Sequence, residues 1–196
     1  PSPFMVFATQ NPYEYEGTFP LPEAQLDRFM LNTLVTYPDV DSETKILKEH
    51  VANKLVGENM HELKNIKLDI KNIIQMMDYA KTITVPDPLV GAIVELVNST
   101  RPHTSTCPQE YREEILYGAG PRAGMSLISS ARSLALLEGK KEVRWQHIER
   151  MSHPVLRHRV KFKSSLGGSL DNQEDKFIDY LIKQLKQKYT HLAEGV

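Results

Sequence analysis

Apolar and polar positions fall into two regimes along the chain. At the start, Phe4-Met5-Val6-Phe7-Ala8 is a short continuous apolar run that stops at Thr9-Gln10-Asn11-Pro12. That is the pattern of a strand buried on both faces. Residues Met30 to Tyr37 are rich in β-branched and aromatic side chains and are stopped by Pro38-Asp39, a second strand signal. Between the two, Pro22-Glu23 opens a short helix. Pro fits the first helical position and Glu the first turn, and the helix ends at Asp27-Arg28-Phe29.

From about residue 41 the period changes to that of a helix. Asp41 or Ser42 is a candidate N-cap, and Ile46, Leu47, Val51 and Leu55 share a face. Ile70, Ile73, Ile74, Met77 and Ala80 do the same after Asp69, as do Leu89, Val90, Ile93, Val94 and Val97 after Asp87. A long helix is expected from about Pro121 to Glu138, stopped by Gly139 with Lys140 and Lys141 behind it. Trp145 opens a helix to about Arg150, Pro154 starts a separate short turn, and a last helix runs from Asn172 to Tyr189. The expected class is mainly α. Two strands and a short helix, residues 1–38, would be the edge of an α/β layer, and residues 39–196 an all-α domain.

A strand buried on both faces needs neighbours for its backbone groups. Phe4 to Ala8 has no earlier strand before it. The expectation is either an internal pairing or a chain that is part of something longer.

Composition narrows the function classes. Twenty-four basic and 25 acidic residues give a net charge of -1, which argues against bulk nucleic-acid binding as the main task. The single cysteine, Cys107, excludes an internal disulfide framework and reads as a small semi-buried residue rather than a nucleophile. No apolar run is long enough to span a bilayer, so no membrane partner and a cytoplasmic location are expected.

Three residues are candidates for chemistry. In an open α/β sheet, ligands sit at the carboxyl ends of strands, where Asn11 would lie. Its amide can accept and donate at once, which suits orienting a water against a phosphate. The bland alternative is an Asn that starts a turn before Pro12. Arg28 closes the short helix, and its bland alternative is a salt bridge to Asp27 or Glu23. Arg122 follows Pro121, so it falls in the first turn of the long helix. A cation there opposes the helix dipole, an arrangement that makes sense if a phosphate completes the site. The alternative is a surface arginine or a pair with Glu113 or Glu114.

Other signals are weaker. Gly118, Gly120 and Ala123 fit the G-x-G-x-x-A spacing of a dinucleotide site, but no second buried strand follows the helix. His147, His153, His158 and Arg157 form a basic cluster around Pro154-Val155-Leu156-Arg157-His158-Arg159, without metal-ligand spacing, read as a surface or inter-subunit patch. No G-x-x-x-x-G-K-[ST] phosphate loop occurs, and no apolar strand ends in paired acids that would hold magnesium.

The segment ATQNP followed by EGTFPLPEAQLDRF resembles the AAA+ ATPases, and most closely the MoxR family. PVLRHRV, at residues 154–160, also belongs to that pattern. The resemblance is weakest in 56–67, in 100–111 and after Lys163. It implies the C-terminal edge of an αβα AAA+ core followed by an all-α lid. It also implies that Asn11 is sensor 1, that Arg122 is sensor 2, and that Arg28 is an arginine finger reaching the neighbouring subunit's nucleotide. Asn11 and Arg122 would then face the nucleotide of their own subunit. ATP and Mg2+ are the implied cofactors, and the implied assembly is a ring, expected as a hexamer. The implied work is chaperone-like remodelling or maturation of protein complexes, with partners bearing a von Willebrand factor A domain.

An alternative from another class is a non-catalytic helical interaction module. Lacking the phosphate loop, this polypeptide alone is predicted neither to bind nor to hydrolyse ATP measurably. Calorimetry should show no heat of binding, and micromolar affinity would contradict the expectation.

Overall fold

The computed structural model describes residues 3–10, 21–52, 69–164 and 172–189. Contacts group the chain into two units: residues 6–32 with 77–196, and residues 1–5 with 33–76.

In the smaller unit, helix α2 (Val40–Val51) starts where the Asp39 carboxylate accepts the Ser42 amide at 2.8 Å. Asp39 is therefore the cap in place of the expected Asp41 or Ser42. Asp41 and Glu43 in its first turn and Lys48 and His50 in its last match the helix dipole. Its apolar residues Ile46, Leu47 and Val51 are exposed. Helix α3 (Ile70–Thr82) begins in this unit and ends in the other.

The two strands expected at Phe4–Ala8 and Met30–Tyr37 are not strands. Residues 4–10 and 31–39 have no regular structure, and nearly all are exposed. The reason is the one that makes any lone strand costly: a ladder needs partners, and among the described residues none pairs with these segments. Helix α1 (Glu23–Leu26) therefore joins two irregular segments rather than two sheet strands. The only sheet among the described residues lies elsewhere, where β1 (Ile115–Tyr117) pairs antiparallel with β2 (Lys161–Phe162). Antiparallel pairing also removes the dinucleotide reading of Gly118 and Gly120, which requires a parallel unit.

The larger unit holds the core, built by α4 (Asp87–Ser99), α5 (Pro121–Leu137), α6 (Trp145–Leu156) and α7 (Gln173–Lys188). Leu89, Ala92, Ile93 and Leu96 of α4 recur at helical spacing and are buried with Ala123, Leu127, Ala131 and Ala135 of α5. Small residues on α5 let neighbouring helices approach closely. Gly139 ends α5 in the left-handed region, at φ 68°, while the Lys140 amide reaches back to the Ala135 carbonyl at 2.8 Å. Phe162 and Phe177 meet edge to face at 5.6 Å between centroids, and Tyr111 sits 4.7 Å from Phe177, so the sheet and α7 share an aromatic cluster.

Pro154 does not start a separate turn, because α6 runs through it to Leu156. It lies in the last turn, where its missing amide leaves one carbonyl, that of Arg150, without its partner. The following amides close normally, Arg157 on His153 at 3.1 Å and Val160 on Leu156 at 3.1 Å. The Pro154 carbonyl in turn accepts the Asn32 amide at 2.7 Å.

One glycine is demanded by packing. A Cβ on Gly118 would lie 2.2 Å from the Thr100 carbonyl oxygen. That close approach lets the buried Thr100 hydroxyl accept the Ala119 amide at 2.9 Å, and lets Arg101 Nε donate to the Ala119 carbonyl at 2.8 Å. Gly118→Ala is expected to destabilise the domain by about 1–3 kcal/mol. Gly91→Ala, in α4 where a Cβ meets nothing within 4 Å, should be neutral or stabilising by up to about 1 kcal/mol. Chemical denaturation of the two variants beside the parent checks both.

Candidate nucleotide-facing site

The site grows from the turn that follows α1. Backbone bonds from the Arg28 amide to the Gln25 carbonyl (3.1 Å) and from the Phe29 amide to the Leu26 carbonyl (3.0 Å) curl the chain there. The curl presents Asp27 inward and Arg28 outward. Asp27 is clasped twice. Its Oδ2 accepts from Arg122 at 3.0 Å, and its Oδ1 from Arg159 Nε at 3.0 Å. Burial alone would raise the Asp27 carboxyl, but the hydrogen bonds and charges of the two guanidinium groups outweigh it and hold the carboxyl below its ordinary value.

Arg122 stands in the first turn of α5, behind the Gly120 cap and Pro121. Its side chain is 55% exposed, and its partner is Asp27 rather than Glu113 or Glu114. Arg28 is exposed and makes no ion pair among the described residues, so the alternative of a salt bridge to Asp27 or Glu23 does not form. Arg28 and Arg122 border the same cleft, of about 270 Å³, together with Asp27, Met30, Ser126 and Arg159. Three cations against one anion leave that wall with a formal charge of +2. A second cleft of about 190 Å³ is also lined by Asp27 and Arg159, together with Glu23, Tyr117, Gly118 and His158. Asn11 lies outside the described residues.

The basic cluster at 153–159 is not a surface patch. Arg159 is 4% exposed. Burial pushes its guanidinium down from its ordinary value while Asp27 opposes that, and it remains charged. Arg157 forms a fork on Asp175, at 3.1 and 3.0 Å, and His153 sits between Asp175 and Asp179, at 3.2 and 2.8 Å. His158 Nε2 lies 3.1 Å from the Phe29 carbonyl, which fixes Nε2 as the protonated nitrogen, while its buried Nδ1 has no partner among the described residues. Sequence reasoning missed Arg159, His158 and Asp27 as a set. The available signal was the apolar bracket of Val155-Leu156 and Val160 around the three basic residues, which marks a segment entering the core.

Among the described residues no group of three His, Cys, Asp or Glu could hold a metal ion, and no helix is long and apolar enough to cross a membrane. The arrangement can offer two exposed guanidinium groups to a polyanion, and the cleft's positive sign fits phosphate oxygens.

His158 predicts a pH dependence. Burial first, and the neighbouring Arg159 charge second, push its imidazole down to about 4 from the usual 6.5. The unfolded chain takes up a proton near 6.5 that the folded one refuses until about 4. The stability present above 6.5 should therefore fall as pH drops through that window. Urea titrations across pH 7.5 to 4 should show the fall, and His158→Gln should remove part of it.

Comparison with known proteins places these residues in a family context. A profile described as "ATPase family associated with various cellular activities (AAA)" matches residues 1–31, and one for the AAA lid domain matches residues 110–177. Chaperone MoxR1 of Mycobacterium tuberculosis is 37% identical over 160 residues, covering 82% of this chain and 41% of that protein. Protein MoxR of Paracoccus denitrificans is 27% identical over 164 residues, 79% of this chain and 47% of that protein. The crystal structure of a candidate ATPase from Cytophaga hutchinsonii is similar with a TM-score of 0.71 at 29% identity, over 93% of this chain and 54% of that one. The chain thus spans about half, or less, of the curated relatives it matches.

Proposed function

The chain belongs to the MoxR-type AAA+ ATPases, and from that premise we propose that it supplies three parts of an ATP site built between subunits of a ring. Asn11 is sensor 1 and Arg122 is sensor 2, both facing their own subunit's nucleotide. Arg28 is the arginine finger of the next site. Residues 1–38 are the end of the αβα core and 39–196 the lid. The observation that carries the reading is Arg28 itself, exposed and without an ion-pair partner among the described residues, so that its guanidinium is available to a neighbouring subunit. A fixed guanidinium compensates the charge that spreads over a transferring phosphoryl group. Mg2+ would be held by residues in the nucleotide-binding part of the whole protein, where it would neutralise phosphate charge.

The whole protein would assemble as a hexamer in the cytoplasm. It would couple hydrolysis to chaperone-like remodelling of protein complexes, with von Willebrand factor A domain proteins as partners. The chaperone name of the Mycobacterium relative supports this direction.

A second reading has one observation in its favour. Arg28 and Arg122 line the same cleft, so both could hold one phosphate within one subunit. Mixing separates the two readings. In the full-length protein, Arg28→Ala and Arg122→Ala should each cut hydrolysis, Arg28→Ala by about 10³-fold or more. If Arg28 acts in trans, co-assembling the two variants restores complete sites at roughly a quarter of random interfaces in a head-to-tail ring. No recovery on mixing would favour the single-cleft reading. Full activity of Arg28→Ala would defeat both.

A further inference from the structure

Each of the three nitrogens of the Arg159 guanidinium reaches the turn that carries Arg28. Nε reaches the Asp27 carboxylate at 3.0 Å, and Nη2 reaches the backbone carbonyls of Asp27 (3.0 Å) and Phe29 (2.6 Å). Nη1 reaches the Met30 carbonyl at 3.2 Å and the carbonyl of Val155, in the last turn of α6. Nη2 also lies 3.4 Å from the Ser126 hydroxyl, one helical turn beyond Arg122. A buried cation with five donors in a fixed fork is thus wrapped around the segment that carries Arg28, from a position 131 residues further along the chain. A short exposed turn has little means of holding one conformation by itself. Its only regular element is the four-residue α1, which buries no side chain.

We infer that Arg159 is a positioning residue for Arg28. It fixes the backbone of residues 27–30 so that the Arg28 guanidinium projects in one direction from the helical domain. Asp27 is its counter-ion, shared with Arg122, and His158 adds one more bond to the Phe29 carbonyl. A lysine could keep the charge but could not grip the carboxylate and three carbonyls together. The inference rests on the reading of Arg28 as a group that acts on nucleotide.

The test uses the full-length protein with two variants, Arg159→Gln and Arg159→Lys. Hydrogen exchange without nucleotide reads the positioning directly. The amides of Arg28, Phe29 and Asn32 should exchange at least about tenfold faster in both variants, while core amides such as those of Ile93 and Leu127 keep their protection. In hydrolysis assays kcat should fall toward that of Arg28→Ala in both variants, with nucleotide affinity unchanged in Arg159→Lys, which keeps the charge of the cleft wall. The double variant Arg28→Ala/Arg159→Gln should be no slower than Arg28→Ala alone.

Unchanged exchange at residues 28–32 overturns the inference, as do rate losses that multiply in the double variant. Loss of core protection in both variants also overturns it, because the role would then be general to the domain. If Arg28→Ala hydrolyses ATP at the parent rate, the arginine-finger reading fails. The exchange result then still decides whether Arg159 holds the turn.

Discussion

The contact between the Arg159 guanidinium and Asp27 is the constraint on which the rest of the site depends. Both groups have left bulk water to a large extent, and the cost of that desolvation is offset only by dense hydrogen bonding. The structure meets the condition: the carboxylate takes two arginines and the guanidinium takes three carbonyls of the same turn. Removing Asp27 would leave the Arg159 guanidinium buried without its counter-ion, which costs more than the intact pair contributes. The pair therefore acts as a fastener with few tolerated substitutes. It joins a turn that has almost no packing of its own to a helical domain that has a full core.

That fastener also explains the charge layout around it. Asp27 lines both clefts. Alone it would repel phosphate from both. With two arginines on it, and Arg28 beside it, the larger cleft keeps a net positive wall while the carboxylate holds the cations in register. Arg122 is at once an ion-pair partner and a half-exposed group at a helix start, so it can turn toward an anion without first leaving a buried position.

What could be read from the chain divides along physical lines. The helices of the larger unit were legible because their burial repeats every 3.6 residues, and the stop at Gly139 because left-handed backbone favours glycine. Phe4–Ala8 and Met30–Tyr37 have the composition of strands, but composition supplies no hydrogen-bond partners, and those residues form no ladder among the described ones. Pro154 looked like a break because a proline usually is one. The last turn of α6 forgives it. Arg122 was found from local context and Arg28 from the resemblance of its segment to a family pattern, and the structure brings them to one cleft. Asp27 and Arg159 were not found as a pair because 132 positions separate them, and no local period encodes so distant a contact. A cluster rich in His and Arg reads as surface until the apolar residues on both sides are seen to carry it inward.

The measurement that bears most directly on this account is nitrogen-detected NMR of arginine Nε–H groups in the described domain. The Arg159 signal is identified by its loss in Arg159→Lys. It should be a slowly exchanging resonance at neutral pH that moves on Asp27→Asn while the signals of Arg101 and Arg132 stay in place. An Arg159 Nε–H in fast exchange with water, indifferent to Asp27, would contradict the account.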